Sequence, residues 1–146
     1  MNNCIVAYSL MPETLAQKLD KKAPSVSARI KNMKYIAKRG WKVGLRFDPL
    51  IYCNNWKAEY AELFANIFKE IKDENIHSIS LGPLRFPNSF FNKLLQYYPK
   101  TEEFSFLRSN EKRIVSYDQT LESEMNEYCR LELMKYSEAG KFFSCG

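Results

Sequence analysis

Two kinds of hydrophobic pattern alternate along the chain. Short apolar runs at residues 4–10, 42–47 and 76–82 predict β-strands. Longer segments between them repeat apolar side chains every three or four positions, which is the spacing of one face of an α-helix. Strands and helices that alternate at intervals of about 35 residues are typical of βα units and predict a parallel sheet.

The helical segments have recognisable ends and buried faces. Residues 12–20 can form a short helix with Pro12 at its first position. In the next helix, Ser25 can cap the start and Gly40 can end it. A further helix is expected to open at Pro87. The side chains predicted to be buried on the two long helices are Val26, Ile30, Met33 and Ala37 on the first and Trp56, Tyr60, Leu63, Ile67 and Ile71 on the second.

After residue 100 the hydrophobic pattern changes. Two short strand-like runs within residues 103–118 flank a polar stretch at 109–111, and this arrangement predicts a β-hairpin. A helix is expected to begin with Thr120 as its cap and to end at Gly140. Residues 141–145 then predict a last strand.

The predicted fold class is α/β, with partial TIM-barrel-type βα repeats and an inserted β-hairpin. Only about four strands of the parallel type are predicted, whereas a closed (β/α)8 barrel needs eight strands and roughly 250 residues. The chain of 146 residues is long enough for one domain of ordinary size, so residues 1–146 are expected to form a single domain. Its outer strands would expose unpaired edges.

Composition narrows the class of protein. Hydrophobic residues make up 45% of the chain and charged residues 27%, which is the balance of a soluble globular protein. The sequence has no apolar run near the roughly 20 residues that span a bilayer and no signal peptide pattern at its start, so no membrane partner is expected. The formal net charge of +5 is compatible with a polyanionic partner.

The cysteines indicate a reducing compartment rather than a metal site. The four of them, Cys4, Cys53, Cys129 and Cys145, lie far apart in sequence and form no CxxC pair. Only one histidine accompanies them, so a zinc site is not expected. Free cysteines are typical of cytoplasmic proteins, and we expect a cytoplasmic location.

Polar side chains close the predicted strands. In a parallel sheet, ligands bind just past the carboxyl ends of the strands, and Ser9 and Asp48 lie at such ends. Asp48 directly precedes Pro49, and three interpretations remain open. Its carboxylate can start the loop and cap the following backbone, pair with Arg46 on the same strand face, or face the hydroxyls or ammonium group of a ligand.

The predicted hairpin gathers basic and aromatic side chains. Arg108, Lys112 and Arg113 lie around its turn, and Phe106 and Tyr117 lie on its arms. This mixture suits contact with phosphates and stacking on bases. Charges at a solvated hairpin tip also serve solubility, so composition alone leaves both interpretations open.

Three segments carry a family resemblance: YSLMPE at residues 8–13, SVSARIKNMKYIAKRGWKVGLRFDPLIYCNNWKAEYAELF at 25–64 and ISLGPLRFPNSF at 79–90. In this order they resemble the C-terminal half of spore photoproduct lyase and the related DNA repair photolyases, which are radical S-adenosylmethionine (SAM) enzymes with a partial TIM barrel. The resemblance covers nearly the whole chain. It implies a lyase that reverses a thymine photoproduct in UV-damaged DNA, with SAM and a [4Fe–4S] cluster as cofactors.

The resemblance also implies site residues. Ser9 matches the family serine that contacts SAM, and Asp48 occupies a strand end beside SAM where Bacillus-type members carry a small apolar residue. The segment 103–118 resembles the DNA-contacting hairpin of the family. Its nearest equivalents of the side chains that hold the lesion are Lys112, Arg113 and Tyr117.

The family pattern also has parts that this sequence lacks. The cluster motif CxxxCxxC is absent, and the hydrogen-donor cysteine of the family lies in the N-terminal half, so the resemblance assigns no cysteine of this chain to either role. We therefore expect a fragment, a split-gene product or a half that needs a cluster-bearing partner chain. Two other functions remain open: a non-catalytic nucleic-acid-binding module, and a radical SAM enzyme that acts on a non-DNA substrate.

Overall fold

Strands and helices alternate through most of the chain. The computed structural model describes residues 4–19, 22–97, 106–109 and 113–144. The strands are β1 (Ile5–Ser9), β2 (Lys42–Leu50), β3 (Ile76–Pro83), β4 (Arg85–Pro87), β5 (Arg108–Ser109), β6 (Ile114–Ser116) and β7 (Phe142–Ser144). The helices are α1 (Glu13–Leu19), α2 (Val26–Lys38), α3 (Trp56–Glu70), α4 (Asn88–Tyr97) and α5 (Gln119–Met134). Short 3₁₀ turns at Asp73–Asn75 and Ala139–Lys141 lead into β3 and β7.

Four strands form a parallel sheet in the order β1-β2-β3-β7. Each neighbouring pair in this order runs parallel. The sheet is open, because β1 and β7 each have one strand neighbour among the described residues. The predicted mixed α/β fold with partial-barrel βα repeats is confirmed.

A second, antiparallel sheet has the order β4-β6-β5. Strands β5 and β6 pair antiparallel, as expected of the hairpin predicted within 103–118, although residues 103–105 and 110–112 lie outside the described part. Strand β4 was not predicted. Its three residues Arg85–Pro87 have no periodicity of their own and become a strand only by pairing with β6.

Helix α2 has the predicted ends and the predicted buried face. The Ser25 hydroxyl accepts a hydrogen bond from the Ala28 amide at 3.1 Å, which satisfies one of the free donors of the first turn. Gly40 follows the helix with φ +87°, a conformation that glycine adopts without steric cost. The predicted side chains Val26, Ile30, Met33 and Ala37 are all buried.

Helix α5 differs from its prediction at both ends. It begins two residues earlier, so Asp118 rather than Thr120 takes the cap position and Thr120 lies inside the first turn. The helix ends at Met134 rather than at Gly140. Beyond Met134 the chain turns, and the ring of Tyr136 stacks on Phe68 with centroids 4.8 Å apart.

Strand β2 runs three residues further than predicted. Asp48 therefore lies inside the strand, and Leu50 still pairs with Pro83 of β3. The register shifts between Phe47 and Leu50 because Pro49 has no amide hydrogen to donate to the ladder. The peptide bond between Asp48 and Pro49 is cis.

The helices cover one face of the parallel sheet. Val43, Leu45 and Phe47 alternate along β2 and are at most 1% exposed. Phe47 meets Phe64 of α3 edge to face, with ring centroids 5.0 Å apart. In the described part of the chain, no helix is long and apolar enough to cross a bilayer.

Two of the three described cysteines belong to this core. Cys129 of α5 is fully buried and Cys53 is 8% exposed, whereas Cys4 is exposed. Burial raises the pKa of the Cys129 thiol from 9.0 to about 12, because the interior disfavours the thiolate.

The raised pKa of Cys129 predicts an alkaline loss of stability. The unfolded chain releases this proton near pH 9, whereas the folded chain holds it until about pH 12. The stabilisation from the protonated thiol is complete below pH 9 and is lost as the pH rises through 12, by up to about 1.4 kcal/mol per pH unit. Urea unfolding from pH 8 to 11 should show a shallower decline in Cys129→Ala than in the wild type. Equal slopes would contradict the assignment.

Candidate functional site

A row of polar side chains crosses the uncovered face of the parallel sheet. Arg46 of β2 pairs in register with Ser9 of β1 on one side and with Ser80 of β3 on the other. Asp48 follows two residues after Arg46 and therefore points to the same face, opposite to Phe47. We call Ser9, Arg46, Asp48 and Ser80 the polar row.

Ser80 holds the carboxylate of Asp48. Its hydroxyl donates to Asp48 Oδ2 at 3.2 Å, and Ser80 itself is only 6% exposed. Within the described residues, no backbone amide donates to Asp48, and no carboxylate lies within 4.0 Å of the Arg46 guanidinium. The structure thus shows neither a capping role for Asp48 nor an ion pair between Asp48 and Arg46.

Below the polar row, the same face is lined by small side chains. Ala7, Gly44 and Ser78 lie side by side on three strands. A Cβ atom at Gly44 would lie 3.2 Å from the Ser78 hydroxyl and 3.6 Å from the Ala7 Cβ. Glycine at position 44 thus allows the three strands to pack closely beside the polar row.

The neighbouring chain segments fix both flanks of the polar row. Arg29 of α2 donates from Nη1 to the Ser9 carbonyl oxygen at 2.9 Å, which ties the end of β1 to the helix. The loop after β2 is fixed by two tyrosine hydroxyls that accept from consecutive amides. Tyr60 accepts from Ile51 at 2.9 Å and Tyr117 accepts from Tyr52 at 3.0 Å. Burial raises the pKa of Tyr60, so this hydroxyl stays protonated.

The predicted DNA-binding residues occupy different environments. Arg113 is exposed and has a positive φ of 59°, and its carbonyl accepts from the Asn88 amide at 2.9 Å. Tyr117 is 3% exposed and lies in the core, with its hydroxyl engaged by the β2 loop. Lys112 lies outside the described residues. Phe106 is 49% exposed and meets Tyr52 edge to face at 4.7 Å.

A cleft of about 610 Å³ opens between the second sheet and the start of α5. Arg85, Ser116 and Arg108 pair across the three strands and therefore share one face on its wall. Glu122 of α5 receives a hydrogen bond from Arg85 at 3.2 Å. Burial raises the pKa of Glu122, although the charge of Arg85 opposes the shift. No sequence pattern pointed to Arg85, because it becomes a cleft residue only through the pairing of β4 with β6.

The residues of the open face fit the polar parts of SAM. Hydroxyl, carboxylate and guanidinium groups lie beside small side chains there and can contact such a molecule. In contrast, the described part of the chain contains no group of three His, Cys, Asp or Glu side chains that could hold a metal ion.

Comparisons with known proteins found a matching sequence family and similar solved structures. The family described as spore photoproduct lyase matches residues 2–120. No curated protein sequence matches the chain. The fold is similar to that of a spore photoproduct lyase complexed with dinucleoside spore photoproduct, with a TM-score of 0.78 and 16% sequence identity. The match covers 97% of this chain and 44% of that chain.

A second solved structure gives the same result. It is a variant of spore photoproduct lyase with bound AdoMet and dinucleoside spore photoproduct, and its TM-score is 0.78 at 16% identity over 98% of this chain. The chain spans less than half the length of either solved protein, 44% in both cases. The TM-scores show similarity of fold. The family match extends over well over half of the chain. The chain belongs to the spore photoproduct lyase family.

Proposed function

We propose that this chain is the SAM- and DNA-contacting half of a radical SAM DNA repair lyase that reverses a thymine photoproduct. The family match over residues 2–120 carries this proposal. Both solved relatives hold a dinucleoside photoproduct and one of them also holds AdoMet. Their structures match 97% and 98% of the present chain. We therefore infer the chemistry from the family and the roles of individual residues from the geometry of the sheet and the hairpin.

On the SAM side, Ser9 and Asp48 are the proposed contacts. Ser9 is the last residue of β1, and Asp48 lies two residues before the end of β2, near the edge where ligands of parallel sheets bind. When bound and reductively cleaved, SAM supplies the hydrogen-abstracting chemistry of the family. This chain contributes the floor at Gly44, the hydroxyl of Ser9 and the carboxylate that Ser80 orients.

We propose that a partner half or partner chain binds the [4Fe–4S] cluster. The described residues offer no ligand set for it, so no step is assigned to a cluster in this chain. A cluster-bearing half or partner chain that faces the polar row would complete the site. The proposed location is the cytoplasm, where cysteines remain reduced.

On the DNA side, the hairpin within 103–118 is the proposed contact. Arg113 is exposed beside β6, and Lys112 is its sequence neighbour, so both are proposed to meet phosphates. We include Tyr117 in the DNA-contacting hairpin. It is buried at the base of the hairpin, where its hydroxyl joins the end of β6 to the β2 loop. The exposed ring of Phe106 offers a surface for base stacking.

Substitution of Arg113 tests the DNA part of the proposal. Fluorescence anisotropy with a UV-irradiated oligonucleotide across a salt series should show affinity that falls steeply with salt. Arg113→Ala should weaken binding at every salt concentration and reduce the slope of log K against log salt by about 1, because one phosphate contact is lost. Arg39→Ala, which removes an exposed charge at the C-terminal end of α2, is the matched control. Absent or salt-independent binding would contradict the DNA function.

One observation favours a second candidate function. Arg46 and Asp48 place two opposite charges on the face that the proposed SAM site occupies. Such a face also suits a radical SAM enzyme with a small polar substrate in place of DNA. Weak, salt-independent DNA binding would favour this second candidate over the lyase.

A further inference from the structure

The cleft between the second sheet and the start of α5 has two arginines on its sheet wall. Arg85 of β4 and Arg108 of β5 pair in register with Ser116 of β6, one on each side, so the three side chains share one face of the sheet. Neighbouring strands lie about 4.8 Å apart, which separates the backbones of β4 and β5 by about 10 Å. Because arginine side chains are long, the two guanidiniums can converge above the Ser116 hydroxyl.

The helix wall of the cleft is acidic. It contains Asp118 and Glu122, with Gln119 and Ser123 beside them. Asp118 is exposed, and its side chain makes no cap hydrogen bond to α5. The Glu122 side chain is only 14% exposed, and its Oε2 lies 3.2 Å from Arg85 Nη2. Two guanidiniums on one wall therefore face two carboxyl groups on the other.

Glu122 is only half satisfied in this position. Its second oxygen, Oε1, is buried and has no hydrogen-bond partner among the described residues. A buried ionised oxygen without a donor is costly, so the neutral carboxyl is favoured. Burial raises the pKa of Glu122; the charge of Arg85 opposes this shift and that of Asp118 adds to it. When Glu122 takes up a proton, two guanidiniums face the single carboxylate of Asp118, and the cleft becomes positive.

The groups of the sheet wall select an anion with several oxygens. A guanidinium has five N–H donors in a planar fork, so Arg85 and Arg108 can each bind a further acceptor beside their present ones, Glu122 and the Leu107 carbonyl. The volume of about 610 Å³ also has room for an organic group attached to the anion. We propose that Arg85 and Arg108 bind a phosphate group above Ser116, and that Glu122 takes up a proton when this group binds.

Two sources can supply the phosphate group. One is the phosphodiester backbone of a DNA strand, and the other is the phosphate of a free nucleotide. Both present oxygens to the same two guanidiniums. The site requires neither SAM nor a photoproduct, so it goes beyond the proposed function and can be tested without it.

Isothermal titration calorimetry with sodium sulfate on the full 146-residue chain tests the site. Sulfate has the shape of phosphate and keeps its charge over the pH range used, so a change of affinity with pH comes from the protein. Arg85→Ala and Arg108→Ala should each weaken sulfate binding about 10-fold, because a charge-assisted contact is lost. Arg130→Ala removes an exposed arginine of α5 that lines a different cleft, and it should change nothing.

The pH dependence tests the role of Glu122. Sulfate affinity of the wild type should rise as the pH falls from 8 to 5, because binding takes up a proton. Titrations in two buffers with different ionisation enthalpies count that proton. Glu122→Gln keeps the size and an acceptor for Arg85 but removes the charge, so it should bind sulfate several-fold more tightly at pH 8 and show a flatter pH dependence. Asp118→Asn should retain the pH dependence. Unaltered thermal unfolding without sulfate shows that each variant keeps the fold.

Several outcomes would overturn the proposal. Absence of sulfate binding, or equal affinity in the wild type and both arginine variants, would show that the cleft is not a phosphate site. An unchanged pH dependence in Glu122→Gln would show that Glu122 does not take up the proton.

Competition against sulfate identifies the source of the phosphate group. Displacement by an undamaged oligonucleotide but not by thymidine monophosphate assigns the site to DNA, and the reverse assigns it to a nucleotide. If neither competitor displaces sulfate, the proposal is wrong. If sulfate binds as expected but UV-irradiated DNA does not bind, the phosphate site stands and the proposed function fails. If UV-irradiated DNA binds through Arg113 while sulfate is insensitive to Arg85 and Arg108, the proposed function stands and the phosphate site fails.

Discussion

Replacement of Phe47 with alanine is expected to lower the free energy of unfolding by about 3–5 kcal/mol. Phe47 is fully buried at the centre of β2 and meets Phe64 of α3 edge to face at 5.0 Å. The substitution removes a large apolar side chain and leaves a cavity between sheet and helix, so both transfer and packing are lost. Urea unfolding followed by circular dichroism measures the effect.

Two further variants keep this prediction testable if Phe47→Ala does not fold. Phe47→Leu removes less volume and should cost about 1 kcal/mol. Phe143→Ala changes the same residue type on β7, where the ring is 56% exposed, and should change stability by less than about 0.5 kcal/mol. A loss at Phe143 as large as that at Phe47 would mean that the uncovered face also contributes to the core.

Tyr60→Phe is expected to cost about 1–3 kcal/mol, although it removes only one oxygen atom. The Tyr60 hydroxyl is the acceptor for the Ile51 amide at 2.9 Å in the buried interior. Phenylalanine keeps the ring packing and leaves that amide without a partner, which is the costly case. Hydrogen exchange by NMR should show faster exchange at Ile51, and urea unfolding gives the free energy.

Tyr117→Phe provides the matched comparison for Tyr60→Phe. Its hydroxyl accepts from the adjacent Tyr52 amide at 3.0 Å in a partly buried position, so a smaller cost of about 0.5–1.5 kcal/mol is expected. The double variant should cost less than the sum, because both hydroxyls restrain the same loop. Strict additivity, or unchanged exchange at Ile51 and Tyr52, would show that the two tyrosines do not fix the loop jointly.

The spacing of apolar residues predicted the helices and strands whose formation depends on a single segment of the chain. Helix α2 with its Ser25 cap and the parallel strands around Phe47 match the pattern, because burial of one face dictates the spacing of apolar residues. The end of α5 was mispredicted at Gly140, since the packing of Tyr136 on Phe68 determines where the chain leaves the helix.

The candidate site was predictable only in part. Strand ends pointed to Ser9 and Asp48, but the contact between Asp48 and Ser80 depends on the register of β2 against β3, which no single segment encodes. Tyr117 shows a second limit of prediction from sequence, because its residue type fits two roles. A tyrosine beside basic residues fits DNA stacking and core packing equally well in sequence, and the tertiary structure places it in the core.

The alternation along β2 has a consequence for the divergence of this family. Odd-numbered positions from Val43 to Phe47 pack into the core, whereas even-numbered positions from Gly44 to Asp48 point to the opposite, uncovered face. A substitution on the uncovered face leaves the packing against the helices intact. Mutational drift can therefore change the chemistry of this face at almost constant stability.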